Sequence, residues 1–288
     1  MKAASRSFIE LSPPGAHRVT SDRTDTAPLP SRQTALVTGA SSGIGRALAA
    51  LFAADGYDLA LVARRAPALE DLARELGAQH GVHVRVHTVD LAEAGAAERL
   101  VAELHRAGVH VDVLVNNAGV GLQGAFASLP LDRQLAMIAL NVTTLTTLTG
   151  LLIPDMIARR RGGVLNVGST AGFQPGPFMA VYYATKAFVL SFTEALAEEL
   201  DGSGLKVSCL APGPTTTEFA AGAGLTDARL FQGRTMSADE VARIGYEGWK
   251  SAKPLVIAGR GNRLGQVFVK LAPRRSVRKI VRRLNTKA

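Results

Sequence analysis

The sequence predicts an α/β fold in which a doubly wound parallel sheet of about seven strands, with helices on both faces, forms a single domain. Short apolar runs recur from residue 34 onward, and several are almost continuously apolar. Such runs are typical of strands that are buried on both faces. They alternate with segments of helical spacing, and parallel strands need such crossovers between them.

The elements follow one another in a regular order. The predicted strands cover residues 34–38, 57–63, 83–88, 111–116, 164–169, 205–210 and 255–257. Leu69, Leu72 and Leu76 mark a helix after the second strand, and a longer helical stretch over residues 131–153 precedes the fifth. Because the chain lacks a run of about 20 apolar residues, we expect no membrane-spanning helix.

Charge and composition divide the chain into three segments. Residues 1–33 are predicted to be a disordered N-terminal extension, residues 34–258 the α/β domain, and residues 259–288 a basic amphipathic C-terminal tail. The net charge is +9, to which the first segment contributes +2 and the tail +10, so the domain itself carries −3. The tail therefore supplies the basicity.

The single cysteine, Cys209, excludes an internal disulfide and a cysteine-based metal site. Residues 1–32 also lack the apolar stretch of a secretory signal. We therefore expect a cytoplasmic protein without a metal site.

The first strand runs directly into a glycine-rich turn, TGASSGIG, at residues 38–45. Gly39 permits a tight turn, Gly43 lets backbone amides approach a pyrophosphate, and Gly45 allows the helix to pack closely on the strand. The positive end of the helix then faces the phosphates. The turn predicts a dinucleotide site in a Rossmann-type fold, although a purely structural strand–helix turn is the alternative. The expected contacts are Gly39, Ser41, Ser42, Gly43, Ile44 and Gly45.

The end of the second strand indicates which dinucleotide binds. Sites for NAD place a carboxylate there, whereas this chain has Arg64 and Arg65. A guanidinium group can bind a 2′-phosphate through two hydrogen bonds, so we predict NADP(H) over NAD(H). The alternative is that both arginines are merely solvated.

Further motifs follow in a fixed order. They are Asp90-Leu91, Asn116-Asn117-Ala118-Gly119, Asn141, Ser169, Tyr182-x-x-x-Lys186 and Pro212-Gly213-Pro214-Thr215-x-Thr217. With the glycine-rich turn, they make the chain resemble the short-chain dehydrogenase/reductase family, in its single-domain form, from about residue 34 to 257. The two ends of the chain extend beyond that resemblance.

The resemblance implies a role for each motif. Asp90 would contact the adenine ring. Residues 116–119 would stabilise the sheet and run past the adenosine ribose, and residues 212–217 would lie beside the nicotinamide. Asn141 would hold a water that links Lys186 to solvent. The implied catalytic residues are Asn141, Ser169, Tyr182 and Lys186. The implied cofactor contacts, besides the turn, are Arg64, Arg65, Asp90, Leu91, Asn117, Ala118, Gly119, Tyr182, Lys186, Pro212, Gly213, Thr215 and Thr217.

The residues themselves support this chemistry. Tyr182 and Lys186 are four apart and share one helix face, where the Lys ammonium is expected to lower the pKa of the Tyr. Tyr182 would then exchange a proton with a carbonyl or alcohol oxygen that Ser169 hydrogen-bonds. Taken singly, these residues have structural alternatives: a solvated helix face, a helix cap or a local kink. Tyr183 competes with Tyr182 but lacks the four-residue spacing to Lys186.

Residues 218–234 are predicted to form a mobile lid over an apolar carbonyl or secondary alcohol, with Gly222, Gly224 and Gly233 as hinges. Its apolar residues are Phe219, Leu225, Leu230 and Phe231, and Phe173, Phe178 and Met179 either extend this surface or belong to the core.

The tail predicts two short amphipathic helices, since apolar residues recur at helical spacing on both sides of Pro273. They are Leu264, Val267, Phe268 and Leu271 before it, and Val277, Ile280, Val281 and Leu284 after it. Packing on the domain or on a partner subunit is favoured over contact with an anionic membrane. No nucleic-acid recognition motif accompanies the charge, so we expect no nucleic-acid partner.

Other functions remain open. A non-catalytic NADP-binding regulator would not need a proton relay, and a membrane-surface scaffold would depend on the basic tail. An isomerase or epimerase would need a larger substrate domain than follows the sixth strand. The resemblance also implies a homodimer or homotetramer that assembles through helices near residues 129–160 and 180–200.

Overall fold

Seven parallel strands form the central sheet of the computed structural model, which describes residues 32–233 and 235–286. They are β1 (Thr34–Thr38), β2 (Asp58–Ala63), β3 (Val84–Thr88), β4 (Val113–Asn116), β5 (Gly163–Val167), β6 (Lys206–Ala211) and β9 (Leu255–Ile257), while β7 (Thr215–Thr216) and β8 (Met236–Ser237) form a separate two-stranded sheet. The predicted disordered extension, residues 1–33, falls almost entirely outside the described residues.

The order of the strands is β3-β2-β1-β4-β5-β6-β9, and all neighbours in this sheet are parallel. Ala35 of β1 pairs with Leu59 of β2 on one side and with Val113 of β4 on the other. The chain therefore reverses its winding direction between β1 and β4. In open parallel sheets, this switch point creates a crevice at the carboxyl ends of the strands.

The helices are α1 (Gly43–Ala54), α2 (Ala66–His80), α3 (Ala96–Arg106), α4 (Leu131–Ile138), α5 (Leu145–Arg159), α6 (Ala180–Glu199), α7 (Phe219–Gly222), α8 (Ala238–Lys250), α9 (Arg260–Leu271) and α10 (Arg274–Asn285). On one face of the sheet, Phe52 of α1 meets Tyr246 and Trp249 of α8 edge to face. On the other, Leu104 of α3 and Leu148 of α5 pack in a second core cluster. Helices thus cover both faces, which confirms the predicted fold class.

All seven predicted strands are present, and their ends shift by no more than two residues. The fifth strand ends at Val167 rather than at the predicted Ser169. The reason is local: the Ser169 hydroxyl accepts a hydrogen bond from the amide of Ala171 over 3.0 Å and caps a 3-10 turn over Thr170–Phe173. Ser169 therefore leaves the strand and enters the crevice.

The long helical stretch, predicted as one helix over residues 131–153, is interrupted. A π-helical turn over Ala139–Thr144 separates α4 from α5. The whole run Leu131–Arg159 is long enough to cross a membrane and contains an 18-residue window with a mean hydropathy of 1.7, so by length and composition it matches a membrane-spanning helix, which was not expected. Leu148, Leu152 and Met156 are nevertheless buried against the sheet, as in a core helix.

The tail forms two helices with a break at Pro273, as predicted. Val277 and Val281 of α10 are buried against the domain, which agrees with the favoured packing. The predicted apolar face of α9 does not pack on the domain of the same chain, because Leu264, Val267, Phe268 and Leu271 are all exposed.

Candidate active site

The glycine-rich turn lies at the switch point of the sheet. Gly39 follows β1 with a φ of +66°, a left-handed conformation that side chains rarely adopt, and α1 begins at Gly43. A Cβ atom at Gly45 would collide with the carbonyl of Gly39 and the side chain of Asn117. The close contact expected at Gly45 is therefore present.

The segment after β4 is fixed to this turn. The amide of the Asn117 side chain donates to the carbonyl oxygens of Thr38 and Gly39, over 2.9 and 3.1 Å. The hydroxyl of Thr38 accepts from the backbone amides of Asn117 and Ala118, each over 3.0 Å. The buried side chain of Asn116 donates to Asn166 of β5 over 2.9 Å and so links two strands. The predicted role of residues 116–119 in the sheet thus has a geometric basis.

Arg64 and Arg65 lie at the tip of β2, on the rim of the same crevice. The guanidinium of Arg65 reaches the hydroxyl of Ser41 in the glycine-rich turn over 3.1 Å and forms an ion pair of 2.7 Å with Glu218. Arg64 lies 3.8 Å from the carboxylate of Asp90. Glu218 was assigned only to the lid, and its pairing with Arg65 holds the pKa of its carboxyl below the usual value.

The loop after β6 closes the crevice on the opposite side. The carbonyl of Pro212 accepts from the amide of Thr170 over 2.8 Å, which ties this loop to the turn that Ser169 begins. A Cβ atom at Gly43 would lie 2.9 Å from the Thr217 methyl group. The glycine-rich turn and residues 212–217 therefore face each other, as the cofactor contacts predicted for both require.

Tyr182, Ser169 and Lys186 converge at the carboxyl ends of β5 and β6. Tyr182 and Ser169 both line the pocket, and the side chain of Ser169 is near enough to Tyr182 to lower its pKa. The ammonium of Lys186 lies 5.9 Å from the centre of the Tyr182 ring and donates to the carbonyl of Val167 over 2.7 Å. All three lie on or beside the pocket wall, so the structure brings together the residues that the sequence pattern selected.

Burial dominates the electrostatics of this group. It raises the pKa of Tyr182 well above the usual value, and the hydrogen bond from Ser169 offsets only part of this effect. Burial also lowers the pKa of Lys186 to about 8. We expected the Lys ammonium to lower the pKa of Tyr182. In the protein alone, desolvation outweighs any such effect, because both side chains are buried at the same place.

Asn141 lies in the π-helical turn, and its buried side chain forms hydrogen bonds with the backbone of the segment after β4. It accepts from the amide of Val120 over 3.0 Å and donates to the carbonyl of the same residue over 2.9 Å. It also donates to the hydroxyl of Thr185, one residue before Lys186, over 3.1 Å. The local kink considered as an alternative for Asn141 is therefore present, and Asn141 also lies beside Lys186. Turns of this kind are frequent at functional sites.

The two neighbouring tyrosines have different partners. Tyr182 faces Ser169, whereas the hydroxyl of Tyr183 donates to the side chain of Asn285, near the C-terminal end, over 3.1 Å. The amide of Asn285 donates in turn to the carbonyl of Pro177 over 2.9 Å. Asn285 was not among the predicted site residues, although it lies four residues after Val281 on the inward side of α10.

The pocket that these elements enclose has a volume of about 760 Å³. It runs from the tip of β2 to an apolar end beyond Tyr182. Four lid residues line it as predicted, and they are Phe219, Leu225, Leu230 and Phe231. Met179 lines it too, whereas Phe173 packs in a core cluster and Phe178 contacts Arg282 of α10 instead. Val281 and Leu284 of α10 complete the apolar end, so the tail is a wall of the pocket.

A short two-stranded sheet frames the lid. β7 pairs with β8, and the hydroxyls of Thr216 and Thr235 lie 2.8 Å apart, so both ends of the segment are held together. Gly224 has a φ of +74°, and a side chain at Gly222 or Gly224 would meet open space. The mobility predicted for this lid therefore remains a prediction, with room for it at these glycines.

The pocket fits a nicotinamide dinucleotide. A Cβ atom at Gly39 would lie 2.7 Å from the side-chain nitrogen of Asn117, so only glycine leaves the cradle at the turn open. Two guanidinium groups stand at one end and the Tyr182 group at the other. No cluster of three or more His, Cys, Asp or Glu side chains that could hold a metal ion occurs among residues 32–233 and 235–286.

Comparisons with known proteins agree with this arrangement. The family model described as short chain dehydrogenase matches residues 33–227. A short chain dehydrogenase of Pseudocercospora fijiensis is 37% identical over 191 residues, which are 66% of this chain and 62% of that protein. This chain therefore covers slightly less than two thirds of that relative.

Two solved structures are similar over most of the chain. A short-chain dehydrogenase from Sphingobium yanoikuyae in complex with NADPH is 34% identical, with a TM-score of 0.73, over 83% of this chain and 94% of that one. A bulky-bulky ketone specific alcohol dehydrogenase from Comamonas testosteroni is 30% identical, with a TM-score of 0.70, over 83% and 93% of the two chains.

Proposed function

The chain belongs to the short-chain dehydrogenase family of oxidoreductases, and we propose that it interconverts a carbonyl and a secondary alcohol with NADP(H) as the cofactor. One observation carries this proposal. The side chains of Tyr182, Ser169 and Lys186 line the same pocket that begins at the glycine-rich turn.

Each side chain has a defined task. The bound nicotinamide supplies the hydride in reduction and accepts it in oxidation. Ser169 hydrogen-bonds the substrate oxygen as charge develops on it, and Tyr182 donates a proton to that oxygen or removes one. The ammonium of Lys186 stabilises the phenolate of Tyr182 and passes a proton onward. Asn141 binds the backbone of Val120 and the hydroxyl of Thr185. Through these two contacts it positions the path by which solvent reaches Lys186.

Arg64 and Arg65 support the preference for NADP(H). Both guanidinium groups stand at the tip of β2, where an NAD site places a carboxylate. Arg65 already binds an anion, the carboxylate of Glu218, over 2.7 Å. A 2′-phosphate is a stronger acceptor for the same donors than a single carboxylate. The similar dehydrogenase from Sphingobium yanoikuyae is in complex with NADPH, which agrees with this assignment.

The apolar end of the pocket supports a bulky, largely apolar ketone as the substrate. Phe219, Leu225 and Phe231 of the lid face Val281 and Leu284 of α10 across this end. Apolar walls with few polar groups select a ligand by shape and leave Ser169 and Tyr182 to orient its oxygen. The alcohol dehydrogenase from Comamonas testosteroni, described as specific for bulky-bulky ketones, points to the same class.

A homo-oligomer forms part of the proposal. Leu131, Leu135 and Ile138 of α4 and Phe188 of α6 are large apolar side chains that are exposed on this chain. These two helices pack against each other. A second copy covering this surface would remove that apolar area from water.

A panel of ketones that increase in bulk on both sides of the carbonyl tests the proposal. The purified protein is incubated with NADPH or NADH and each ketone, and oxidation of the cofactor is followed by its absorbance. We expect turnover with NADPH that favours the bulky, apolar members. Tight NADPH binding without turnover of any member would instead indicate the non-catalytic regulator, and equal kcat/KM with both cofactors would refute the preference.

A further inference from the structure

Helix α9 presents its apolar side to solvent. Leu264, Val267, Phe268 and Leu271, here called the outer stripe, are 73%, 55%, 53% and 81% exposed. They follow the i, i+3, i+4, i+7 spacing of one helix face. An amphipathic helix of a globular domain normally turns this face inward, so the outer stripe has no partner within the described part of the chain.

The side of α9 that faces the domain carries Gln266 and also Val269, which packs against the core cluster of Val277 and Val281. Gln266 is the buried residue of this helix. The side chain of Asn262 donates to the carbonyl of Ala258 over 2.6 Å. Burial of Gln266 and packing of Val269 hold α9 in this orientation, and the exposure of the outer stripe is a property of the folded chain rather than of a loose end.

Basic residues are concentrated in the same C-terminal tail as the outer stripe. Residues 259–288 contain ten Lys and Arg and no acidic residue, whereas residues 34–258 carry a net −3. On α10, Val277 and Val281 pack inward, and the exposed basic residues are Arg274, Arg275, Arg278, Lys279, Arg282 and Arg283. An apolar stripe beside cations is the pattern of a helix that lies in the plane of an anionic bilayer surface.

We infer that α9 and the basic side of α10 dock on an anionic phospholipid surface. The outer stripe enters the boundary between head groups and acyl chains, and the Lys and Arg side chains bind lipid phosphates. Charge favours a phospholipid surface over a second copy of the chain as the partner of α9. A two-fold contact through α9 would bring one ten-cation tail against another, and like charges repel, whereas phosphates neutralise them.

Docking would place the substrate pocket at the membrane. Val281 and Leu284 of α10 line the apolar end of the pocket, while the basic residues of the same helix face outward. The inference about lipid binding does not depend on the proposed function, because it is measured without cofactor or turnover.

The test is co-sedimentation of the full-length protein with vesicles. Phosphatidylcholine vesicles are compared with vesicles that also contain phosphatidylglycerol, at low and at high salt. We expect binding to the anionic vesicles alone, and weaker binding at high salt because salt screens the charges. Equal binding to both kinds of vesicle, or binding to neither, would overturn the inference.

Two variants with matched controls test the two parts of the surface. Leu264→Ser with Phe268→Ser removes two of the four residues of the outer stripe, and Phe126→Ser changes a similarly exposed apolar residue elsewhere. Arg278→Gln with Lys279→Gln removes charge from α10, and Arg106→Gln on α3 is its control. We expect each tail variant to lower the partition constant roughly tenfold, which corresponds to about 1.4 kcal/mol, and the controls to leave it unchanged.

Oligomeric state is measured on the same variants by light scattering. Tail variants that bind vesicles like the wild type contradict the inference. The inference is also contradicted if the wild type is an oligomer that does not bind vesicles and the stripe variants dissociate it. In that case a second copy of the chain would cover the outer stripe. Thermal unfolding confirms that the variants fold, which we expect because the changed side chains are exposed.

Discussion

The hydroxyl of Tyr183 donates a hydrogen bond to the side chain of Asn285 over 3.1 Å, although 102 residues separate the two along the chain. This contact joins the start of α6, which carries Tyr182 and Lys186, to the last turn of α10. Gln123, in the segment after β4, adds a bond to the backbone carbonyl of Asn285 over 3.0 Å. The C-terminal helix is therefore anchored at the residue next to the proposed proton donor.

Replacing Asn285 by Ala tests whether this anchor shapes the substrate pocket. The change leaves the Tyr183 hydroxyl and the Pro177 carbonyl without their partner, and the buried Tyr183 hydroxyl alone costs about 1–3 kcal/mol. Val281 and Leu284 then lose their fixed position. We expect KM for a bulky ketone to rise far more than KM for a small one, with kcat for the small ketone retained. Equal changes in KM for both ketones would contradict a role of α10 as a pocket wall.

Arg65 and Glu218 are expected to have opposite effects on NADPH binding. Arg65→Ala removes a donor for the 2′-phosphate, and a hydrogen bond to a charged group is worth about 1.5–3 kcal/mol. KM for NADPH should rise roughly 10- to 100-fold, with little change for NADH. Glu218→Gln removes the competing carboxylate, which pairs with Arg65 over 2.7 Å, and should lower KM for NADPH.

Arg74 provides the control for this pair, because it is exposed on α2 and pairs only locally with Asp71. Arg74→Ala should leave both values of KM unchanged. Unaltered KM for NADPH in both Arg64→Ala and Arg65→Ala would remove the physical basis for the NADP(H) preference.

The rate of ketone reduction should depend on the protonation of Lys186. Burial lowers the pKa of this residue to about 8, so its ammonium is present below that pH and is lost above it. Reduction consumes a proton, which the ammonium returns to Tyr182. Because kcat/KM reports on groups of the free enzyme, its logarithm should be level below about pH 8 and fall above it, while alcohol oxidation changes in the opposite sense.

Lys186→Arg keeps its positive charge over this whole range, since the guanidinium does not titrate there. Any activity that remains in this variant should lose the decline above pH 8. A decline that persists unchanged would assign the titration to another group.

The sheet and the core of the site followed from local sequence patterns. The buried parallel strands are mostly apolar runs and could be located closely, whereas the edge strand β3 shows alternating apolar and polar residues. The glycine-rich turn and the Tyr182–Lys186 spacing are equally local, because each lies within one turn or one helix. The end of β5 was placed two residues too late, because a serine that caps a turn and a serine in a strand look alike in the sequence.

The remaining features depend on contacts between distant residues. Arg65 and Glu218 are 153 positions apart, and neither side chain's surroundings could be deduced from its neighbours in sequence. Helical spacing showed that α9 is amphipathic, but it could not show which side faces the domain. Asn285 lies on the inward side of α10 by the same spacing, and its three polar contacts come from the segment after β4, from α6 and from the segment just before α6.

The most direct test of the central claim compares Tyr182→Phe with Tyr183→Phe in single-turnover reduction of a bulky ketone by NADPH. Loss of a general acid typically costs about 10²- to 10⁴-fold in rate. We predict that Tyr182→Phe loses turnover to this extent while its affinity for NADPH, measured by fluorescence, stays near that of the wild type. Tyr183→Phe should keep most of the chemical rate. Retention of the wild-type rate by Tyr182→Phe would contradict the account.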